Sequence, residues 1–120
     1  MHVGSEDLHV LHGGHGDAVK RGKFFLPREG EIALGASLLK MLGDPTRLGI
    51  VSVLRGGEMS VCCLSEVLGV SQSALSHQLR LLRDRQLVKT RKAGKYVYYA
   101  LFDDHVETLV AQVLHHASHI

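Results

Sequence analysis

At 120 residues, the chain is long enough for one domain with a small hydrophobic core, and pairing with a second copy would bury more apolar surface. Its 14 Lys and Arg and 12 Asp and Glu give a formal net charge of +2, which excludes a strongly acidic or basic chain. With no Trp, no long apolar run and no charged leader, we expect a soluble, cytoplasmic protein without membrane contact. The only cysteines, Cys62 and Cys63, are adjacent, which indicates reduced thiols rather than a disulfide framework.

Residues 1–26 are predicted to form a flexible arm or a frayed helix, because they are only weakly patterned. Histidines lie among glycines in this arm, at His2, His9, His12 and His15. This pattern fits two interpretations. Either the histidines are incidental, or they supply ligands to a metal ion or join the cysteines.

Residues 27–120 are predicted to form one domain that begins with three helices. The first helix starts near Pro27. Its predicted buried face consists of Ile32, Ala36, Leu39, Met41 and Leu42. Asp44 is the predicted N-cap of the second helix. Ser60 is the predicted N-cap of a short third helix, which Gly69 ends.

A fourth helix, over residues 71–83, has the pattern of a DNA recognition helix. Leu75, Leu79 and Leu82 recur at helical spacing and are predicted to face the core. The outward face of its first turns carries types that hydrogen-bond base edges and phosphates, namely Ser71, Gln72, Ser73, Ser76, His77 and Arg80. A short helix, a tight turn and such a second helix are typical of a helix-turn-helix that binds double-stranded DNA.

A basic β-hairpin is predicted over residues 87–101, with a turn where Gly94 can adopt a positive φ. The basic side chains near its tip are Lys89, Arg91, Lys92 and Lys95. From residue 72 to residue 95 there are seven basic residues and one acidic residue, which indicates a polyanionic partner. Tyr96, Tyr98 and Tyr99 are interpreted as packing residues. The predicted fold class is therefore mainly α with a β-hairpin wing (α+β), a winged helix-turn-helix.

The last helix, over residues 103–119, combines an apolar stripe with metal-ligand side chains at both ends. The stripe consists of Val106, Leu109, Val110, Val113, Leu114 and Ala117. It needs a partner, and we expect a homodimer paired through the first and last helices. His105 and His116 are eleven residues apart. They share a helix face but lie about 16 Å apart along the axis, which is too far for one metal ion to bind both.

Antiparallel pairing with a second copy would bring Asp103 and His105 of one chain beside His116 and His119 of the other. Three imidazoles and one carboxylate form a closed tetrahedral set that suits zinc, and also cobalt. The alternative is a set of solvated polar residues at the ends of a dimerisation helix. Catalytic zinc keeps an open coordination position, and so short a chain offers no pocket-forming loop. We therefore expect neither an enzyme nor a small-molecule substrate.

Several segments of the chain resemble the ArsR/SmtB family of metal-sensing winged-helix repressors. They are D-P-T-R at 44–47, S-Q-S-A-L-S-H-Q-L-R-L-L-R at 71–83, G-K-Y-V-Y-Y-A-L at 94–101, and the D-x-H and H-x-x-H pairs of the last helix. The similarity covers roughly residues 30–119 and is strongest to zinc-responsive repressors of the CzrA type. Their Asp and three His ligands correspond to Asp103, His105, His116 and His119. The resemblance implies a metal-free dimer that binds a palindromic operator and represses an efflux or sequestration gene until metal releases it.

The chain departs from the family's pattern at the third helix. The family shows E-L-C-V-C-D-L there, whereas residues 58–64 are E-M-S-V-C-C-L. Ser60 replaces the first cysteine, which argues against a thiolate-rich site for arsenic, lead or cadmium. Cys62 and Cys63 remain a candidate second site if His9 or His12 joins them. Further alternatives are a nickel or cobalt sensor with ligands from the arm, a thiol-based sensor, and a metal-independent DNA-binding protein.

Overall fold

The computed structural model describes residues 14–120. In chain order the elements are α1 (Gly14–Phe25), α2 (Glu29–Leu42), α3 (Pro45–Leu54), β1 (Met59–Ser60), α4 (Val61–Leu68), α5 (Gln72–Asp84), β2 (Val88–Ala93), β3 (Tyr96–Leu101) and α6 (Asp104–Ala117). The described residues divide into two compact units, one that ends at Gly35 and one over Ala36–Ile120. No helix among the described residues is both long and apolar enough to span a membrane.

The first unit contains α1, a helix formed where the sequence predicts only an arm or a frayed helix. Asp17 in its first turn and Lys23 in its last turn favour the helix dipole. None of its residues is buried. Phe24 and Phe25 are 83% and 74% exposed, and their rings meet edge to face with centroids 5.2 Å apart. The apolar residues of this segment show little helical periodicity, which agrees with the finding that α1 has no buried face.

The core of the second unit lies between the helices and the inner face of the sheet. Leu75, Leu79 and Leu82 are fully buried, which confirms the predicted inner face of α5. The other core residues are Leu42, Ile50, Val51, Leu54, Leu64, Leu87, Val88, Val106 and Val110. These residues come from every helix of the unit and from β2, so a single core holds the recognition helix and the last helix in one body.

Four helices begin at polar N-caps, and the predicted N-caps Asp44 and Ser60 are confirmed. The side chains of Asp44, Ser60, Ser71 and Asp103 accept hydrogen bonds from the backbone N–H three residues later, at 3.0, 3.3, 3.2 and 3.0 Å. Gly69 ends α4 in the left-handed conformation with φ +67°, again as predicted. These local signals set the starts of α3, α4, α5 and α6.

The predicted hairpin is formed by β2 and β3, with Gly94 at φ +61° in its turn. A third strand, β1, pairs with β3, so the antiparallel order is β1-β3-β2. Tyr98 lies opposite Arg91 of β2 and Ser60 of β1. The two-residue β1 is too short to show an alternating pattern, and the sequence does not predict it.

The predicted buried face of the first helix is only partly correct. Met41 and Leu42 pack on the core. Ile32 and Leu39, however, are 46% and 58% exposed, and Ala36 is exposed as well. Helical period alone identifies an apolar face and does not tell whether the same chain covers it.

The apolar stripe of α6 divides into two faces. Val106 and Val110 are buried and Leu114 packs against the core. Leu109 and Val113 are 36% and 45% exposed. One α6 face is thus used within the chain, and the second is left on the surface.

Candidate nucleic-acid interface and metal centre

The predicted DNA-contacting residues of α5 are all exposed. Ser73, Ser76, His77 and Arg80 lie on the helix face opposite the buried leucines, because that face is half a turn away. Ser71 and Gln72 stand at the helix start, where free backbone N–H groups favour a phosphate. The structure therefore presents one polar helix face and one helix N-terminus on the same element.

Arg47 links the end of α2 to α5, a contact that sequence reasoning missed. Its Nε donates to the carbonyl oxygen of Met41 at 2.7 Å, and its Nη1 donates to Oε1 of Gln78 at 3.0 Å. Met41 belongs to the last turn of α2, and Gln78 is at the middle of α5. The guanidinium fork therefore joins the end of one helix to the recognition helix. The only sequence signal was an Arg in the D-P-T-R segment.

The wing, formed by β2, β3 and their turn, carries three exposed lysines, Lys89, Lys92 and Lys95. The Nζ of Lys95 lies 5.5 Å from the centroid of the Tyr96 ring. Tyr96 is 53% exposed, so its interpretation as a packing residue is wrong, whereas Tyr99 does pack on the core. The hairpin thus presents positive charge at its tip and on its outer surface.

Arg91 of the wing is engaged by a carboxylate that the sequence analysis did not consider. Its Nη2 lies 2.7 Å from Oε1 of Glu58, and its Nε donates to the same oxygen at 2.9 Å. Its Cζ lies 5.1 Å from the centroid of the Tyr98 ring. The hydrogen bond from Arg91 holds the pKa of Glu58 below its usual value.

The N-terminal end of α6 brings Asp103 and His105 together. Oδ1 of Asp103 accepts the backbone N–H of Val106 at 3.0 Å, and Oδ2 lies 3.3 Å from Nδ1 of His105. The backbone hydrogen bond, with help from His105, holds the pKa of Asp103 below its usual value. The His105 side chain is 96% exposed. Its Nδ1 faces Asp103, so Nε2 is the ring nitrogen that remains for another partner.

The C-terminal end of α6 orients His119. Its Nδ1 lies 2.8 Å from the carbonyl oxygen of His115, which can only accept, so Nδ1 carries the proton and Nε2 has a free lone pair. Ser118 Oγ lies 3.2 Å from the same Nδ1. The rings of His115 and His119 meet edge to face with centroids 4.6 Å apart. His116 is exposed on the same turn. The contact with His115 was not predicted from the sequence.

Within one chain, Asp103 and His105 lie at the start of α6, whereas His116 and His119 lie at its other end. Across residues 14–120, no three His, Cys, Asp or Glu side chains come together as a metal site. Cys62 and Cys63 are exposed free cysteines on the first turn of α4. The candidate partners His9 and His12 lie outside the described residues. A site that combines Asp103 and His105 with His116 and His119 would therefore need a second copy of the chain.

A backbone path joins α6 to α5. Phe102, which precedes Asp103, donates its N–H to the carbonyl oxygen of Leu87 at 3.0 Å. The N–H of Leu87 in turn donates to the carbonyl oxygen of Leu82 in α5 at 3.0 Å. Asp103 and His105 also line a cavity of about 270 Å³ together with Leu87. The backbone that leads into α6 is therefore linked by hydrogen bonds, through Leu87, to the last turn of α5.

Comparison with known proteins gives consistent matches. Residues 44–90 match the model of a family described as bacterial regulatory protein, arsR family. The chain is 47% identical over 81 residues to a transcriptional repressor SmtB homolog of Synechocystis, across 68% of this chain and 61% of that protein. It is 40% identical over 103 residues to a cadmium resistance transcriptional regulatory protein CadC homolog of Staphylococcus aureus, across 85% and 84%.

A solved structure resembles the fold of the second unit. It is the homodimeric winged helix-turn-helix DNA-binding domain of a possible ArsR-family transcriptional regulator from Mycobacterium bovis. The TM-score is 0.70 at 28% identity, across 74% of this chain and 82% of that chain. The helices and the wing described above are thus those of a winged helix-turn-helix, as the sequence predicts.

Proposed function

Because the chain belongs to the arsR family of bacterial regulatory proteins, we propose that it is a metal-responsive transcriptional repressor. The family consists of transcriptional regulators, so the chain is a regulator and not an enzyme. In the proposed cycle, a metal-free homodimer binds double-stranded operator DNA, and zinc bound between the last helices of the two copies releases it. One relative is named a repressor and another a cadmium resistance regulator, which supports repression and a response to metal.

Operator binding is supported by α5 and the wing. The polar outward residues of α5 suit base edges and phosphates, and the lysines of the wing suit the phosphates beside the groove. A dimer would present two recognition helices to two half-sites related by a two-fold axis. We therefore assign Ser71, Gln72, Ser73, Ser76, His77, Arg80, Lys89, Lys92 and Lys95 to the DNA-facing surface.

The exposed apolar face of α6 supports a dimer interface. Val106 and Val110 are already covered by the core of their own chain, whereas Leu109 and Val113 are not. These two residues are one helical turn apart, the spacing of a helix–helix contact. Antiparallel pairing that places Leu109 against Val113 of a second copy puts the two-fold axis beside residue 111.

The symmetry of the ligand pairs about residue 111 is the observation that carries the proposed metal site. Asp103 and His119 each lie eight residues from that position, on opposite sides. His105 and His116 lie six and five residues from it. At 100° per residue, His105 and His116 differ by only about 20° around the helix. The register that buries the apolar face therefore also brings each Asp103–His105 pair opposite the His116–His119 pair of the other copy.

The donor atoms at the two ends fit zinc. Nδ1 of His119 is occupied by the carbonyl oxygen of His115 within its own chain. Such contacts orient a histidine ligand and leave its Nε2 for the metal. Three imidazoles and one carboxylate suit tetrahedral zinc or cobalt, whereas nickel prefers more ligands. Zinc bound by this set would cross-link the last helices of the two copies.

Release of DNA would follow the backbone path from α6 to α5. Phe102 and Leu87 join the start of α6 to the end of the recognition helix. When the two copies of α6 are drawn together at Asp103, this path would shift both recognition helices and change the half-site spacing. Such coupling is reciprocal, so operator DNA must weaken zinc binding by the same factor, typically about 5- to 150-fold.

Fluorescence anisotropy of a labelled operator tests this function. Zinc should release the wild-type protein, while the double variant His116→Ala/His119→Ala should bind DNA normally and ignore zinc. Lys20→Ala is the control, because it removes an exposed side chain of α1 that is not a candidate metal ligand and should respond like the wild type. A zinc response that survives in the double variant would refute the α6 site, and failure of the metal-free wild type to bind any operator would refute the repressor function.

A thiol-based response is the second candidate, favoured by the exposure of both Cys62 and Cys63. In that case diamide, which oxidises thiols, would release operator DNA from the wild type without zinc. The Cys62→Ser/Cys63→Ser variant would abolish this release. Under the zinc proposal, the same variant keeps its full zinc response.

A further inference from the structure

Glu58 and Arg91 form an ion pair across the outer face of the sheet. Both Nε and Nη2 of Arg91 lie within 3.3 Å of both carboxylate oxygens of Glu58, at 2.7, 2.9, 3.1 and 3.2 Å. Glu58 directly precedes β1, and Arg91 is on β2. Because β3 separates these two strands, the pair spans the width of the sheet. It is a fork-to-fork arrangement with a defined orientation.

Tyr98 lies beneath this ion pair. It is opposite Arg91 in the β2–β3 register and opposite Ser60 in the β1–β3 register. Directly opposed residues point to the same face of a sheet, so its ring shares the face of the Arg91 side chain. The Arg91 Cζ is 5.1 Å from the ring centroid. The guanidinium is therefore fixed both by a carboxylate and by an aromatic ring.

The other basic residues of the wing differ from Arg91. No carboxylate of residues 14–120 is within ion-pair distance of Lys89, Lys92 or Lys95. Their positive charges remain available to a polyanion. The charge of Arg91, by contrast, is already neutralised by Glu58, so a phosphate would have to compete with a bidentate carboxylate.

We propose that Arg91 is a positioning residue of the wing, held by Glu58, rather than a phosphate ligand. This inference rests on the proposed DNA-binding function and removes Arg91 from the predicted set of DNA contacts. The hairpin is tied by this pair to the segment that leads from α3 into β1 and on to α4, the first helix of the helix-turn-helix. The pair thereby sets the angle between the wing and the helix-turn-helix, and the lysines supply the phosphate contacts.

The salt dependence of operator binding distinguishes a positioning residue from a phosphate ligand. Loss of one phosphate contact lowers the slope of log K against log salt by about 0.9, so a dimer that loses two contacts loses about 1.8. Arg91→Ala should weaken binding at every salt concentration and keep the wild-type slope. Lys92→Ala, the matched control on the next residue of β2, should lower the slope by about 1.8 per dimer.

Amide hydrogen exchange of the free protein tests the positioning role without DNA. Arg91→Ala and Glu58→Ala should each speed exchange at the β1–β3 amides, and the double variant should show no further increase. Arg91→Lys should also speed exchange, because an ammonium lacks the bidentate fork. Lys92→Ala should exchange like the wild type.

Two results would overturn the inference. One is a slope for Arg91→Ala that falls as far as that of Lys92→Ala. The other is wild-type exchange in both Arg91→Ala and Glu58→Ala. Failure of the wild type to bind operator DNA would instead refute the proposed function, and the exchange experiment would still decide whether Glu58 and Arg91 position the wing.

Discussion

Truncation of Arg47 should destabilise the second unit and misplace its recognition helix. Arg47→Ala removes the hydrogen bonds to the Met41 carbonyl at 2.7 Å and to Gln78 at 3.0 Å. A hydrogen bond to a charged group contributes about 1.5–3 kcal/mol, and water partly replaces the lost donors at this half-buried position, so we expect a total loss of about 2–3 kcal/mol. One of these bonds joins Arg47 to α5. Operator affinity should therefore also fall, even at temperatures well below the unfolding temperature.

Urea denaturation at fixed protein concentration measures the stability change, and anisotropy at 10 °C measures operator binding. Arg55→Ala is the matched control. Arg55 forms a 2.7 Å ion pair with Glu107, and the two side chains are 37% and 43% exposed. Such a surface pair is worth about 0.2–1 kcal/mol, and its loss should leave operator affinity unchanged. If Arg47→Ala cost no more free energy than Arg55→Ala, the proposed role of Arg47 would be wrong.

Three further predictions concern the helix turn, the start of α6 and the wing. Gly69→Ala should cost about 1–2 kcal/mol in urea denaturation, because its φ of +67° is unfavourable for a residue with a Cβ although no atom lies within 4 Å of that Cβ. Asp103→Asn should preserve the N-cap and the unfolding midpoint but weaken zinc binding in a competition titration. Asp103→Ala should lower the unfolding midpoint and also weaken zinc binding. Equal unfolding midpoints for the two variants would contradict the capping role of Asp103. The lowered pKa of Glu58 means that its pair with Arg91 contributes stability above the unfolded-state value of about 4.3, and that this contribution is lost as the pH falls through the folded-state pKa. The stability difference between the wild type and Glu58→Gln should therefore vanish in acid, and a difference that grew in acid would reverse the assigned sign.

Local signals made much of the second unit predictable. The N-caps at Asp44, Ser60, Ser71 and Asp103 act through a single side chain and a nearby N–H, so they are written in the sequence around each helix start. The leucine period of α5 correctly assigned its buried face. Gly94 likewise predicted the turn of the wing, because glycine readily adopts the positive φ that is found there.

Contacts between distant parts of the chain were not predictable in the same way. Arg47 and Gln78 are 31 residues apart, and Glu58 and Arg91 are 33 residues apart. Neither spacing follows a helical or strand period, so only the fold brings these side chains together. For the same reason, the sequence groups Arg91 with the wing lysines by charge alone, and only the fold reveals its carboxylate partner.

The sequence predicts the two pairs of candidate ligands, but it does not predict how the pairs are arranged in space. The spacing of Asp103, His105, His116 and His119 predicts candidate ligands and separates them into two pairs. Whether the pairs meet depends on how two copies associate, which is a property of the assembly. In the proposed dimer, the exposed Leu109 and Val113 would set the register of the two α6 helices.

The central claim, a metal site completed by two copies of α6, is tested most directly by mixing two defective variants. Asp103→Ala/His105→Ala and His116→Ala/His119→Ala each lack half of every site, so neither should show the strong visible absorption of tetrahedral cobalt(II). After the two variants are unfolded together and refolded, each mixed dimer should contain a single intact site, and the cobalt absorption should return. Absence of that absorption in mixed dimers, with the wild type showing it under the same conditions, would contradict a site shared between two copies.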